Sequence, residues 1–207
     1  TICDKEYSVS WRNLSPSPKE HIPRLKVMGW DIEVYSSIPS SMPKSSRPAD
    51  IVFQMSCVLW TMHTPIESMV KYILTIGEPS VEIMANENIN VISFTTEADL
   101  LVGYADFIRE HRPNIIVGHN IFNGPAEIKK IKWSSSAYKA QEFDVLLTEG
   151  VCYVDTLPLI QRDYKLSQYS LKVIGAHFVG DTKDPLSPQG IFKCWDMWVD
   201  GHPQGAE

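Results

Sequence analysis

Two acidic side chains near the beginning of the sequence have the residue types and the spacing of a metal-binding pair. Asp31 and Glu33 are separated by one residue and directly follow the largely apolar segment 25–30. In a β-strand, residues i and i+2 project from the same face, with their Cα atoms roughly 6.5 Å apart. Two carboxylates at that distance can jointly hold hard divalent cations, which prefer oxygen ligands. The alternative is an ordinary Asp-x-Glu sequence on the solvent face of a strand.

The segments around this pair have the pattern of a central strand and its neighbours. Apolar, β-rich runs predict a buried strand over residues 25–35, which ends in the acidic pair, and two further strands over 51–60 and 69–76. We expect antiparallel connections between these three, and a shorter strand over 91–94. The acidic pair would thus lie where a central strand leaves the core, which is where α/β folds usually place their chemistry.

A helix and a further strand follow in the predicted order. Thr96, with Asp99 three positions later, is a variant of the capping box, so a helix is expected to begin there and to end before Pro113. Its expected apolar face consists of Leu100, Leu101, Tyr104, Phe107 and Ile108. A strand over 114–118 comes next and ends in a glycine.

Two later helices are predicted, over about 156–162 and about 170–179. Asp155 directly precedes the first of them and is interpreted as its cap. Three antiparallel strands, a helix and another strand are the order of the ribonuclease-H-like nuclease fold. This order therefore predicts an α/β protein with a mixed central sheet and flanking helices.

The composition is that of an intracellular globular protein. The 207 residues carry a formal net charge of −6, which argues against a general duplex-binding module but not against a site that grips a few nucleotides. No apolar run of about 18 residues and no signal-peptide pattern is present, so no membrane association is expected. The cysteines are too far apart to indicate a zinc site or disulfides; they are Cys3, Cys57, Cys152 and Cys194.

Four stretches of the sequence resemble, in the same order, the exonuclease domain of the family B DNA polymerases. Residues 28–33 are similar to the first exonuclease motif, and residues 50–57 to the second strand of that domain. Residues 114–123 resemble the start of the second motif, and 154–171 the segment that leads towards the third. Within the family, the resemblance is to polymerases of large DNA viruses and to the delta-type replicative enzyme.

The resemblance implies a ribonuclease-H-like (DnaQ-like) exonuclease fold and 3′→5′ proofreading during DNA replication. In such enzymes two Mg²⁺ or Mn²⁺ ions, about 3.5–4 Å apart, act on the terminal phosphodiester. Asp31 would bridge both ions, and Glu33 would hold one of them and orient the attacking water. The implied substrate is a single-stranded DNA 3′ end or a primer–template. The implied partners are a polymerase domain in the same longer chain and a sliding clamp. The implied location of the protein is intracellular, in the host nucleus or cytoplasm if the protein is viral.

Four further residues are candidates for binding the DNA strand. Asn120 corresponds to a family residue that helps to position the primer strand, although an Asn also commonly ends a strand in a turn. His119 stands where the family often has Tyr, and it could contact a phosphate or be an ordinary hydrogen-bonded surface histidine. Phe53 and Phe122 could stack on bases. The alternative for both is a place in the core.

The sequence departs from the family pattern at two places. After Asn123 the family's Phe-Asp, which includes a catalytic carboxylate, is replaced by Gly-Pro-Ala-Glu at 124–127. The Tyr-x3-Asp of the third motif is not found. We therefore expect an exonuclease domain over 25–207 with an internal deletion near 123–125 and a truncated C-terminus, after a lead-in from an upstream domain at 1–24. The alternative is a catalytically incomplete, nuclease-like domain that serves as a nucleic-acid-binding or scaffolding module.

Overall fold

Eight strands and five helices make up the part of the chain that the computed structural model describes. That part comprises residues 7–17, 22–121, 128–135, 138–146, 150–180 and 186–202, and of 128–135 and 138–146 only the backbone is described. The strands are β1 (Lys26–Tyr35), β2 (Ile51–Thr61), β3 (Val70–Ile76), β4 (Ile89–Phe94), β5 (Ile115–Gly118), β6 (Ile128–Ser135), β7 (Tyr138–Leu146) and β8 (Cys152–Asp155). The helices are α1 (Val81–Met84), α2 (Glu97–His111), α3 (Thr156–Asp163), α4 (Leu171–Phe178) and α5 (Pro188–Val199), with 3₁₀ turns at Trp11–Asn13 and Ile66–Ser68. Within these ranges, no helix has both the length and the hydrophobicity that a membrane crossing requires.

Six of these strands form one mixed sheet in the order β4-β3-β2-β1-β5-β8. Strands β1, β2 and β3 are antiparallel neighbours, as predicted, whereas β5 runs parallel to β1 and β8 runs parallel to β5. Strand β4 pairs in parallel with β3 at the opposite edge. Strands β6 and β7 form a separate antiparallel pair. The predicted α/β class, with a mixed sheet and flanking helices as in the ribonuclease-H-like fold, is confirmed.

The hydrophobic core lies between this sheet and α2. Its buried members are Met28, Met55, Cys57, Leu59, Leu74 and Ile116 on the strands and Leu100 and Phe107 on α2. Tyr104 of α2 stacks on Trp30 of β1 with ring centroids 5.7 Å apart. The predicted apolar face of α2 is narrower than expected, since Leu101 is 45% exposed. One residue advances an α-helix by about 100°, which turns Leu101 away from the sheet.

Polar contacts fix both ends of α2. The hydroxyl group of Thr96 makes two hydrogen bonds to Asp99: it accepts from the backbone N–H at 3.1 Å and donates to the carboxylate at 2.7 Å. These contacts confirm the predicted capping box. At the other end, Arg112 adopts the left-handed conformation with φ of 47°, so the helix stops ahead of the following proline. The ammonium of Lys26 donates to the carbonyl of His111 at 2.6 Å. This contact ties the end of α2 to the start of β1.

The two later helices that the sequence predicts are also present. Asp155 and Ser170 cap α3 and α4 through their side chains. In α4 the buried residue is Ile174, whereas Leu171 and Phe178, which share its predicted apolar face, are 43% and 45% exposed. The helices therefore begin where expected, but α4 buries only a narrow stripe.

Helix α5 is an addition to the predicted elements, and it covers the face of β1 that is opposite to α2. Ser187 caps it by accepting a backbone N–H at 3.1 Å, and Pro188 occupies its first turn. The buried Phe192 lies with its ring 5.9 Å from that of Tyr35. Because strand residues alternate in direction, Tyr35 projects from the face opposite to that of Trp30. That is also the face of Asp31.

A bulge interrupts the pairing of β1 with β2 beside the acidic pair. Glu33 pairs with Gln54, whereas the next residue, Val34, pairs with Val52, so Phe53 is an extra residue on β2. A bulge bends the strand that carries it and re-aims a side chain. The strand pair therefore changes direction directly beyond Glu33.

Candidate active site and nucleic-acid interface

Asp31 and Glu33 lie on one face of β1, near its C-terminal end. In the ladder with β2, Asp31 pairs with Ser56 and Glu33 pairs with Gln54. Asp31 is exposed and Glu33 is half-buried. One carboxylate oxygen of Asp31 accepts the N–H of Ile32 at 3.0 Å. The structure thus presents the predicted pair together, on one face and open to solvent.

Parallel pairing brings two other segments to the same edge of the sheet. Strands β1, β5 and β8 run in one direction, so their C-terminal ends meet. The β1–β5 pairing ends with Gly29 opposite Val117, so Asp31 and His119 each lie two residues beyond its last pair. Gly118 pairs with Asp155 at the end of β8. The acidic pair, the turn at residues 118–121 (the β5 turn) and Asp155 therefore share this edge.

The donor set at this edge fits a divalent cation. Two carboxylates on one face offer the oxygen ligands that Mg²⁺ and Mn²⁺ prefer. Among the residues that the structure describes, no group of three or more His, Cys, Asp or Glu side chains is arranged to hold a metal ion. Asp31 and Glu33 would therefore share an ion with water or phosphate oxygens, and a pair of ions needs further ligands from DNA or from residues outside the described ranges.

The backbone of the β5 turn is tightly constrained. Asn120 has φ of 61°, in the left-handed region that Asn tolerates better than most residues. Gly118 leaves no room for a side chain, because an added Cβ would lie 2.2 Å from Cγ2 of Ile121 and 3.2 Å from the carbonyl oxygen of Trp30. Asn120 thus ends β5 in a turn and is exposed at the edge that carries the acidic pair.

Asp155 connects the β5 turn to α3. Its carboxylate accepts the N–H of Leu157 at 2.9 Å, which confirms the predicted cap. The same carboxylate accepts the N–H of Asn120 at 2.8 Å and that of Ile121 at 3.1 Å. Asp155 is 8% exposed. The contacts with the turn were not predicted, because they join positions 35 apart and leave no local pattern in the sequence.

Both ring nitrogens of His119 lie within hydrogen-bonding distance of protein atoms. Nε2 is 3.0 Å from the carbonyl oxygen of Tyr169, and Nδ1 is 3.1 Å from the hydroxyl oxygen of Thr156. A carbonyl oxygen only accepts, so Nε2 carries a proton. The hydroxyl of Thr156 also donates to the carbonyl of Gly118 at 3.1 Å. These contacts fit the interpretation of a hydrogen-bonded histidine, and a contact with a DNA phosphate stays a prediction.

Phe53, at the bulge, packs against α5. Its ring centroid is 5.0 Å from that of Trp195, and Phe53 itself is half-buried. The same Trp195 ring lies 6.1 Å from Tyr35 and 5.1 Å from Trp198. One side of Phe53 is thus occupied by an aromatic contact, and stacking of its ring on a base stays a prediction.

Two of the positions singled out in the sequence fall outside the described residues. They are Phe122, a candidate for base stacking, and the junction at 123–125, where an internal deletion is expected.

Tyr35 lies on the same face of β1 as the acidic pair, two residues after Glu33, and interacts with Asp196 of α5. Hydrogen bonding to the Asp196 carboxylate, together with burial, raises the pKa of Tyr35 above its ordinary value. Sequence reasoning missed this contact because it did not predict α5, although Ser187 and Pro188 are start signals for a helix.

The Ser/Pro-rich segment 36–50 between β1 and β2 is organised around one carboxylate. Asp50 accepts the N–H and the hydroxyl of Ser37 at 2.9 and 2.7 Å, the N–H of Lys44 at 2.7 Å and the Nε–H of Arg47 at 2.6 Å. Burial alone would raise the pKa of Asp50, but these hydrogen bonds outweigh it and hold that pKa well below its usual range. The segment therefore has a defined conformation next to the site.

Comparison with known proteins decides the family. The model of the DNA polymerase family B exonuclease domain matches residues 1–123. This chain belongs to the exonuclease domain family of the family B DNA polymerases. The exonuclease domain is 35% identical to DNA polymerase 120R of Invertebrate iridescent virus 3 over 221 aligned positions, which cover 94% of this chain and 19% of that relative.

Other relatives of this exonuclease domain are viral and cellular. DNA polymerase 037L of Invertebrate iridescent virus 6 is 32% identical over 94% of this chain and 18% of its own length. The DNA polymerase delta catalytic subunit of Oryza sativa subsp. japonica is 38% identical over 47% of this chain and 11% of its own length. The chain thus spans about a fifth of the length of the two iridescent virus relatives.

Proposed function

We propose that this exonuclease domain removes nucleotides from the 3′ end of single-stranded DNA, as the proofreading part of a larger DNA polymerase. The observation that carries the proposal is the edge where Asp31 and Glu33 share a face beside the β5 turn. Family membership and the viral and delta-type DNA polymerases among the relatives support it.

The proposed reaction is hydrolysis of the terminal phosphodiester. Water attacks the phosphorus, the bond from phosphorus to the 3′ oxygen of the preceding nucleotide breaks, and a nucleoside monophosphate leaves a strand that is one residue shorter. When bound, Mg²⁺ or Mn²⁺ ions would supply Lewis-acid activation of the water and of the departing oxygen. Asp31 and Glu33 would hold the cations, and Glu33 would also accept a hydrogen bond from the attacking water and so orient it. The exonuclease domain family is generally dependent on divalent metal ions.

The DNA strand would lie along the edge that carries the β5 turn. Asn120, exposed on the turn, is the residue proposed to position the terminal nucleotides, and His119 is proposed to contact the backbone beside it. Phe53 and Phe122 are proposed to stack on bases. A mismatched terminus unpairs more readily than a matched one, so it would reach this single-strand site more often.

The larger protein is part of the proposal. We place the exonuclease domain at 25–207, after the Ser/Pro-rich lead-in at 1–24, and propose a polymerase domain in the same longer chain, a sliding clamp as a partner and activity in the nucleus or cytoplasm of a host cell. The 221 aligned positions exceed the 207 residues of this chain, so the iridescent virus relative has positions that this chain lacks. An internal deletion would produce such a surplus, and we propose that it lies near 123–125.

A second candidate function is single-strand binding without hydrolysis. One observation favours it: within the described ranges, Asp31 and Glu33 are not joined by a third metal-binding side chain. A two-ion reaction with only these protein carboxylates would be slow, because the second ion would bind weakly.

Incubation of the 207-residue chain with a 5′-labelled single strand and Mn²⁺ tests the proposal. We expect slow shortening of the strand from its 3′ end and loss of this shortening in Asp31→Ala. Binding of the strand with no shortening at any Mn²⁺ concentration would favour the second function. A chain that neither binds nor shortens the strand would contradict both.

A further inference from the structure

The β5 turn, which carries Asn120, has an unusual and crowded backbone. Gly118 is in close contact with Ile121, and Asn120 lies in the left-handed region, which most residues avoid. The backbone N–H groups of Asn120 and Ile121 lie beyond the end of the β5 ladder, whose last pair is Gly118 with Asp155, so the ladder does not supply their acceptors. Asp155, at the end of the neighbouring strand β8, supplies it.

The two carboxylate oxygens of Asp155 accept hydrogen bonds from different backbone N–H groups. Oδ1 accepts the N–H of Asn120 at 2.8 Å and also the N–H of Leu157 at 2.9 Å, while Oδ2 accepts the N–H of Ile121 at 3.1 Å. Capping α3 requires only one oxygen, as Ser or Asn caps demonstrate. The second oxygen therefore serves the turn and not the helix.

Contacts of Thr156 and His119 join the β5 turn to the same segment that Asp155 begins. The Thr156 hydroxyl oxygen, directly after Asp155, lies 3.1 Å from the carbonyl oxygen of Gly118 and 3.1 Å from Nδ1 of His119. The other ring nitrogen of His119 donates to the carbonyl of Tyr169 at 3.0 Å. Every one of these contacts fixes the β5 turn to the segment that begins at the end of β8.

We infer that Asp155 is a positioning residue for DNA binding: its carboxylate sets the conformation of the β5 turn and thereby presents Asn120 to the strand next to Asp31 and Glu33. The inference rests on the proposed function. Asp155 acts through the backbone amides of the turn, to which its buried carboxylate is hydrogen-bonded.

Asp155→Asn separates this role from helix capping. Asn caps helices about as well as Asp, but its side chain has one carbonyl oxygen and one NH₂ group. Either orientation of the amide sets the NH₂ group against a backbone N–H of the turn, at Ile121 or at Asn120. The cap is retained with the better orientation, and one contact of the turn is lost.

The experiment compares wild type, Asp155→Asn and Thr96→Ala, all in the 207-residue chain. Thr96→Ala is the matched control, because it removes a helix cap on α2, away from the turn. Three quantities are measured: the unfolding temperature, the amide exchange of residues 119–121, and the Kd for a fluorescent single-stranded oligonucleotide with a free 3′ end. For both variants we expect the unfolding temperature to fall by about 2–4 °C, because Thr96→Ala loses a helix cap and Asp155→Asn loses a hydrogen bond of the turn.

Only Asp155→Asn should change the other two quantities. We expect its amide exchange at Asn120 and Ile121 to rise about 10-fold and its Kd to rise about 5-fold, the loss expected for one net hydrogen bond. Unchanged exchange in the turn, or a Kd equal to that of wild type, would overturn the inference while leaving the proposed function intact. If wild type itself does not bind the oligonucleotide, the proposed function fails, and the role of Asp155 in DNA binding fails with it.

If Asp155→Asn does not fold, Asp155→Ser replaces it. Ser retains a capping oxygen but has no second acceptor, so the same exchange and the same loss of affinity are expected.

Discussion

The guanidinium of Arg47 and the carboxylate of Asp50 lie 2.5 Å apart, with the Asp50 side chain only 1% exposed. This ion pair lies within the segment 36–50, which connects β1 to β2 beside Glu33, and joins two residues near the end of that segment. Arg47 also donates to the carbonyl of Met42 at 2.6 Å and to the hydroxyl of Ser36 at 3.1 Å. The conformation of the connection between β1 and β2 is therefore stabilised by one buried carboxylate, that of Asp50.

Asp50→Asn should lower the unfolding temperature more than Asp106→Asn does. Asp106 also pairs with an arginine three positions away, Arg109, but both side chains are mostly exposed, at 64% and 75%. Exposed pairs of this kind contribute no more than about 1 kcal/mol. Thermal unfolding of the two variants at pH 7 provides the comparison, and equal effects would contradict the role assigned to Asp50.

The contribution of Asp50 should also depend on pH. Its pKa is lowered in the folded chain, so its stabilisation is present above the ordinary value of about 3.9. Below that pH the unfolded chain binds a proton that the folded chain does not, and the stabilisation is lost as the pH falls towards the lowered pKa. The difference in unfolding temperature between wild type and Asp50→Asn should be constant from pH 5 to 8 and shrink below pH 4. A difference that grows on acidification would refute this assignment.

Removal of both site carboxylates should weaken Mn²⁺ binding. We expect Asp31→Ala with Glu33→Ala to lose at least about 10-fold in affinity by calorimetry, since even outer-shell substitutions at metal sites cost that much. The matched control is Glu82→Ala with Glu87→Ala, which removes two exposed carboxylates near β4 at the other edge of the sheet. Equal affinity in the two double variants would exclude Asp31 and Glu33 as the site.

Gly118→Ala should be destabilising through its contact with Ile121. The new Cβ would overlap Cγ2 of Ile121, and overpacking of this kind costs about 1–3 kcal/mol. Ile121→Ala removes that atom, so the cost of Gly118→Ala should be lower by at least about 0.5 kcal/mol in the Ile121→Ala background. Denaturant unfolding of the four proteins of this cycle measures the coupling. Additive costs would mean that the two positions do not touch.

Phe53→Leu tests whether this ring stacks on DNA in addition to packing on Trp195. Leu keeps most of the apolar volume, so the free energy of unfolding should fall by less than about 1.5 kcal/mol. Loss of base stacking should raise the Kd for a single strand by about 5-fold or more. Phe94→Leu, on the distant strand β4, is the control for a phenylalanine outside the site. Unchanged affinity in Phe53→Leu would assign the ring to packing alone.

Local patterns in the sequence were sufficient for most of the fold. The strands that became β1 to β5 and the helix starts at Thr96, Asp155 and Ser170 carry their signals within a few residues, as apolar runs or capping side chains. The acidic pair was found for the same reason, since two residues apart on a strand always share a face.

What the sequence left undetermined depends on long-range pairing. Strand β8 has four residues, too few for a periodic pattern, and exists because it pairs with β5. The contact of Tyr35 with Asp196 and that of Asp155 with Asn120 likewise join distant positions, so no local pattern indicates them. The sequence therefore located the acidic pair but not the residues that arrange its surroundings.

The extra residue Phe53 divides β2 into two stretches that keep different registers with β1. Residues 54 and beyond pair with β1 up to Glu33, while 51 and 52 pair with a register that is offset by one. Removal of Phe53 would close the ladder and keep the faces of 51 and 52, because Val52 would still pair with Val34 and Ile51 with Tyr35. Loss of one residue at this position should therefore preserve the pairing but remove the bend beside Glu33, which is a difference that a comparison of natural or designed variants can detect.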